Sequence, residues 1–247
     1  MKLFRCCLFG VLVGVAAGGA VAAQTAAPPL QWTRTIALPA TVTGSFDHFG
    51  VDVGGHRLLM AVENMHQLAV LDHNNWHWLA PITGLGRPHA ILVRPDLGRV
   101  FATDGGAGDL KVFNLAGTRL VRSIALLPDA DSITFTNDRL YVVNGGGDAH
   151  QTFSTVSIIA LAAEKKLADI PVDGATLEAL RLDPAHHRLF VNNAAKNLVN
   201  VIDLSDRRVV ASWPLHLGQH NTAMGFDPAA HRLFIGCRSG AIVVMNS

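Results

Sequence analysis

Residues 183–193 read DPAHHRLFVNN, and forty-four positions later residues 227–237 read DPAAHRLFIGC. The second half of this stretch recurs as HRLLMAV at 56–62, GRVFATD at 98–104 and DRLYVVN at 138–144. Each copy is an Arg followed by apolar, largely β-branched or aromatic residues. The arginines are Arg57, Arg99, Arg139, Arg188 and Arg232, spaced by 42, 40, 49 and 44 residues. Self-similarity at this period marks a propeller or a solenoid.

Each unit has the same internal order. A short apolar run precedes the Arg: HFGVDV, AILVRP, SITFTN, EALRLDP or TAMGFDP. The Arg-led run follows a polar turn. After a Gly- or Asn-rich turn comes an alternating run: QLAVLDH, LKVFNLA, STVSIIAL, LVNVIDL or AIVVMNS. A fourth run, WLAPI, LVRSIAL, KLADIPV or VVASWPL, closes each of the first four units. Short β-branched segments separated by turn residues are strands. Four antiparallel strands in about 44 residues make one propeller blade. The expected fold is therefore all-β, a propeller of five four-stranded repeats. The fifth unit shows three strands, and TRTIALP at 33–39 resembles the fourth. An N-terminal strand that completes the last blade would fasten the ring.

The doublet His186–His187 asks whether the histidines form a metal site. His56, His187 and His231 occupy the slot before the repeat Arg, where the other units have Gly98 and Asp138. A slot that accepts His, Gly and Asp is a turn position. The histidines fall on different blades and are not expected to converge. A different column, ten residues before the Arg, holds Asp47, His89, Glu178 and Thr222, and a two-residue gap brings in Asp131. His48 and Asn221 are neighbours of the column. These residues begin the innermost strand of each blade, which lines the channel. Asp47, His89, Asp131, Glu178 and Asn221 are therefore the candidate ligand-binding residues. Asp47, Asp131 and Glu178 are the candidate metal ligands. Hard oxygen ligands with one or two imidazoles suit Ca²⁺, Mg²⁺, Mn²⁺ or Zn²⁺. The same groups suit a small polar ligand, and in a wet channel they also serve simply to cap backbone N–H groups.

RLYVVN, RLFVNN and the downstream NVID, with aspartate-led turns, resemble the YVTN-repeat, YncE-like β-propellers of bacterial periplasms. The resemblance covers residues 33–247. It implies a periplasmic or secreted binding or interaction protein, with an unidentified small molecule or protein as partner. Members of that family commonly have seven blades, whereas five are visible here, leaving a small closed ring and a shortened open arc as the alternatives. Gluconolactonase-like propellers supply an enzymatic alternative by analogy of architecture. There a divalent metal polarises a lactone carbonyl, Glu178 and Asp131 hold it, and His48 or His89 is the base.

The N-terminus agrees with export. Lys2 and Arg5 precede the uncharged run CCLFGVLVGVAAGGAVAA, which ends in small residues before Gln24. This is the pattern of a secretory signal peptide over 1–23, followed by a leader at 24–32. The Gly- and Ala-rich run lacks a stop-transfer flank, so no integral span is expected after cleavage. Cleavage leaves 18 basic side chains against 19 acidic and, of three cysteines, only Cys237. An internal disulfide is thereby excluded, and no basic run attracts nucleic acid. GxSxG, HExxH, CxxC and phosphate-loop patterns are absent. Cys237, at the end of a strand, reads as a buried inert thiol. Trp76 and Trp78, two apart, read as packing on one strand face.

Overall fold

The computed structural model describes residues 30–117 and 119–247. The expected signal peptide and residues 24–29 of the leader lie outside the described residues. Residues 30–36 carry no regular structure, and residues 37–247 form one compact unit. That unit is a five-bladed β-propeller. Blade 1 comprises β1 (Phe46–Asp52), β2 (Arg57–Val62), β3 (Gln67–Asp72) and β4 (His77–Thr83). Blade 2 comprises β5 (Pro88–Arg94), β6 (Arg99–Asp104), β7 (Asp109–Asn114) and β8 (Leu120–Ala125). Blade 3 comprises β9 (Ile133–Phe135), β10 (Arg139–Gly145), β11 (Ser154–Ala160) and β12 (Lys165–Val172). Blade 4 comprises β13 (Leu177–Asp183), β14 (Arg188–Asn193), β15 (Leu198–Asp203) and β16 (Arg208–Pro214). Blade 5 has β17 (Asn221–Asp227), β18 (Arg232–Cys237) and β19 (Ala241–Asn246). Each sheet is an antiparallel meander in sequence order.

The strand fastening expected at 33–39 is not formed: those residues carry no strand, and the fifth sheet has three strands. Residues 37–43 lie against blade 1 instead. The Trp78 indole N–H donates to Ala37 O at 3.2 Å, and Val42 packs on Met60, Val62 and Ala69. Pro39 and a turn closed by Val42 N→Pro39 O make this segment a poor strand. Trp76 also departs from expectation. It sits in the β3–β4 turn with φ 64°, so it does not share a strand face with Trp78.

The turn reading of the histidine slot has a backbone cause. His56, His187 and His231 have φ of 55°, 50° and 51°, and Gly98 has φ 64°. The slot demands the left-handed conformation, which Gly adopts freely and His tolerates in turns. Asp138 reaches the same hairpin without a positive φ, in a turn closed by Arg139 N→Thr136 Oγ1 at 3.0 Å. The repeat Asp and Arg pair across this hairpin. Arg57 reaches buried Asp52 at 2.6 Å and Arg188 reaches buried Asp183 at 2.7 Å. The histidines do not all stay apart, however. His186 and His231, on neighbouring blades, have ring centroids 6.3 Å apart, because the turn tips of adjacent blades lie side by side.

The core consists of four blade-to-blade junctions. Every strand alternates its side chains between two faces, and each blade's trailing face packs on the leading face of the next. At the last junction Phe190, Val199 and Val201 of blade 4 meet Met224, Leu233 and Ile235 of blade 5. Equivalent clusters join blades 1 and 2, 2 and 3, and 3 and 4. Phe190 is fully buried and stacks at 5.3 Å on Phe226 and 5.8 Å on Trp213. Phe190→Ala removes that ring from a close-packed junction and is expected to cost about 3–5 kcal/mol in chemical denaturation. Phe135→Ala, at an exposed ring, is expected to change stability by less than about 0.5 kcal/mol.

Candidate functional site

The innermost strands do more than line the channel. In four of the five, the register slips where the candidate column sits: between Phe46 and Phe49, Pro88 and Ile91, Leu177 and Leu180, and Asn221 and Ala223. A bulge puts an extra residue into one strand and re-aims its side chain. Here it releases Asp47, His48, His89, Glu178 and Thr222 from simple in–out alternation. Blade 3 reaches the same place differently. Asp131 precedes the short β9 and is held by Asp131 N→Val143 O at 3.0 Å. The two-residue gap in its repeat is this missing strand start.

Three of the column's side chains, Asp47, His89 and Asp131, converge with the neighbouring His48. Both imidazoles share the Asp47 carboxylate: His89 Nδ1 lies 2.6 Å from Oδ2 and His48 Nδ1 lies 2.7 Å from Oδ1. Asp131 Oδ1 stands 4.0 Å from His89 Nδ1. Ligand atoms of Asp47, His48 and Asp131 all lie within 4.8 Å of one another, and so do those of Asp47, Glu63 and His89. Glu63 was not singled out from the sequence. It follows β2 in a single 3₁₀ turn, outside the repeat column, and only the fold brings it near. His89 is nine-tenths buried, and its Nε2 has no hydrogen-bond partner among the described residues. It points at Gly105, where a Cβ would come within 2.8 Å. Asp131 Oδ1 is likewise buried without a partner.

Glu178 stands further round the channel. With Asp47, His48, Ser132 and Thr222 it lines a cavity of about 600 Å³ that also touches Arg181, Arg238 and the outer face of blade 5. Its closest counter-charge is Arg238 at 3.9 Å. Asn221 is placed elsewhere than expected. It is fully buried, and its amide donates to Asn192 Oδ1 and Leu198 O, both at 3.0 Å. It ties blade 5 to blade 4, while its neighbour Thr222 faces the cavity. Cys237 is buried as expected, and burial pushes its thiol up from the usual range.

The electrostatics separate the carboxylates. Burial alone would raise Asp47, but hydrogen bonds from His48 and His89 outweigh it and hold its carboxyl well below the usual range. The bond to Asp47 raises His48. Burial opposes the charged form of His89, but Asp47 and the field of Asp131 prevail and raise it. Burial, reinforced by Asp47, pushes Asp131 up to about 6 despite His89. Burial and the negative field of Asp131 push Glu178 up to about 7. One carboxylate thus takes both imidazoles, leaving the other two short of positive charge.

Two solved structures share the fold. One, titled Kuenenia stuttgartiensis Hydrazine Synthase, aligns with a TM-score of 0.67 at 15% identity, covering 76% of this chain and 54% of that one. The other, titled Crystal Structure of Mitotic Checkpoint Complex, gives a TM-score of 0.65 at 9% identity, covering 81% and 61%. The chain therefore spans little more than half the length of either. At these identities the likeness concerns the propeller architecture alone. No protein-family model matches the chain, and no curated protein matches it by sequence.

Raised carboxyl pKa values have a stability signature. A folded-state pKa above the unfolded one favours the protonated folded form, so its contribution is complete below about 4 and lost as pH rises through the folded value. For Asp131 and Glu178 that window runs from about pH 4 to 7. Glu178→Gln is accordingly expected to stabilise the protein at pH 8, by on the order of 2–3 kcal/mol, and to do little at pH 4. Denaturation at the two pH values measures this. Carboxyl ¹³C titration should find the Glu178 midpoint near 7 in the parent protein.

Proposed function

We propose that this propeller is a binding module whose channel mouth takes a divalent cation, with Asp47, His48 and Asp131 as its ligands. The reading rests on one observation: these three side chains come from blades 1 and 3 yet bring their ligand atoms within 4.8 Å of one another. A cation there would answer the carboxyl of Asp131, whose Oδ1 lacks a partner, and would relieve the repulsion it shares with Glu178. Oxygen donors with an imidazole suit Mn²⁺ or Zn²⁺ better than an all-oxygen site would, and Ca²⁺ less well. His89 and Glu63 stand behind the three, and Glu178 faces the cavity through which a ligand on the metal would approach. The finer family reading, a YVTN-repeat, YncE-like protein exported to the periplasm or beyond, is part of this proposal. The repeat residues and the signal-like segment at 1–23 support it. Among the described residues no helix is long and apolar enough to cross a membrane.

A hydrolytic reading has its own support, since Asp131 at about 6 and Glu178 at about 7 lie where acid–base chemistry at neutral pH needs them. The local charges move the base away from His48 and His89, which are raised by Asp47 and so hold their protons longer. In this version Glu178 would be the general base, a metal held by Asp47, His48 and Asp131 would supply the activation of water, and the substrate would be a lactone or similar ester.

The test is a thermal melt of chelated protein titrated with Mg²⁺, Ca²⁺, Mn²⁺ and Zn²⁺. Binding to the folded form alone raises the melting temperature as RT ln(1 + [L]/Kd). One transition ion is expected to raise it by several degrees, with the shift lost in Asp47→Ala and Asp131→Ala. Because imidazole and carboxyl must shed protons to bind metal, the same ion should acidify a weakly buffered sample and bind more weakly below pH 6. No shift with any ion would remove the metal-binding proposal. Chelator-sensitive lactone hydrolysis that disappears in Glu178→Gln would favour the enzyme, and a metal-dependent shift without turnover the binding module.

A further inference from the structure

Five blades have ten faces, and the four junctions use eight of them. The remaining two are the trailing face of blade 5 and the leading face of blade 1. The repeat allows them to be compared position by position. On blade 4, Phe190 and its cross-strand partner Val201 are 0% and 2% exposed, and Val199 is 0%. The equivalent residues of blade 5 are Phe234, its partner Val244, and Ile242. They are 41%, 52% and 76% exposed. Blade 5 thus presents the side-chain types that form a junction on blade 4, and no blade among the described residues packs upon them.

Blade 1 presents the opposite half. Its Phe49 and Val51 pair with Met60 and Leu58, as Met224 and Phe226 pair with Ile235 and Leu233 on blade 5. Met224 is buried by blade 4, but Phe49 is 58% and Val51 54% exposed. The strip of this face nearer the rim is already covered: Val42 packs on Met60, Val62 and Ala69. The uncovered part is the inner part. Blade 5, with three strands, is short of a rim strand on its own sheet. The two open faces therefore match in chemistry.

Side chains of this type do not remain in water where a matching face is available. We propose that these two faces join head to tail between two copies of this chain, the trailing face of blade 5 of one copy packing on the leading face of blade 1 of the other. The contact continues the blade stacking already made four times within the chain, so its occupant is specified by the repeat. It is heterologous, because the two surfaces differ. The cavity holding Asp47, His48 and Glu178 is also bordered by Phe234 and Ile242, so a partner seated here would form a wall of it. The proposal does not depend on any metal binding there.

The test is sedimentation velocity of the full chain over a range of concentrations. The parent protein is expected to sediment as a dimer or larger, and Ile242→Asp and Val51→Asp are each expected to be monomeric. A head-to-tail contact makes a further demand. Ile242→Asp keeps its blade 1 face and Val51→Asp keeps its blade 5 face, so an equimolar mixture should recover a dimer with one junction. Both side chains are more than half exposed, and circular dichroism melts should show the fold retained. Val244→Asp and Phe49→Asp repeat the two arms should either variant unfold. A parent protein that is monomeric throughout would overturn the proposal, as would variants that stay associated. So would a mixture that stays monomeric, which would assign the faces to a different partner.

Discussion

Everything in this protein depends on one blade face burying the next. A three- or four-stranded meander cannot bury its apolar alternate residues alone, and a single sheet of this size is marginal in water. The sequence answers by making both faces apolar: Leu59 and Met60 on β2, Phe190 and Val191 on β14, are all nearly or wholly buried. The register of each meander follows, because a one-residue slip would exchange the two faces. So does the constancy of the turns, which set where each strand starts. The left-handed slot at His56, Gly98, His187 and His231 holds the start of the Arg-led strand in place in blade after blade.

Stacking also explains why the polar cluster is where it is. Blades fan about an axis, so their innermost strands approach one another at one mouth, and residues distant in sequence meet there. Asp47 and Asp131 are 84 positions apart in the chain, yet both address His89. An alternating strand alone would send every second side chain into a blade junction. The bulges relax that requirement at the one level where polar groups are tolerable. The cluster is then graded by its hydrogen bonding. Asp47 has two imidazoles and stays ionised, whereas Asp131 and Glu178 are buried with too little positive charge nearby and rise toward neutrality.

Most of the fold is legible in the residues because blade stacking is local and repeated. The Arg-led strand and the two-residue alternation recur five times and the left-handed turn slot four times, and repetition separates pattern from accident. Within the five repeats the expected strand runs and the observed strands agree to within about two residues. The failures come where repetition stops. Residues 33–39 look like a rim strand by composition, but Pro39 and the turn after it take the chain across blade 1 instead. Asn221 and Thr222 are adjacent in sequence, and only the β17 bulge decides that Thr222 faces the cavity while Asn221 is consumed by Asn192. Glu63 lies outside the column altogether, and no spacing rule reaches it.

The same logic bears on the ends of the stack. In a repeat protein each face needs either a neighbour or a polar surface. On blade 5, Phe234, Ile242 and Val244 keep the chemistry of an internal face. Blade 1 is covered only in part, with Val42 over its rim and Phe49 and Val51 bare. Protection of one strip and not the other argues that the bare strip is a contact surface rather than a neglected end. The site chemistry and the open face of blade 5 are linked by geometry, since Phe234 and Ile242 border the cavity that holds Asp47 and Glu178. Whatever covers that face also sets how much water reaches the carboxylates, and with it how far burial raises their pKa values.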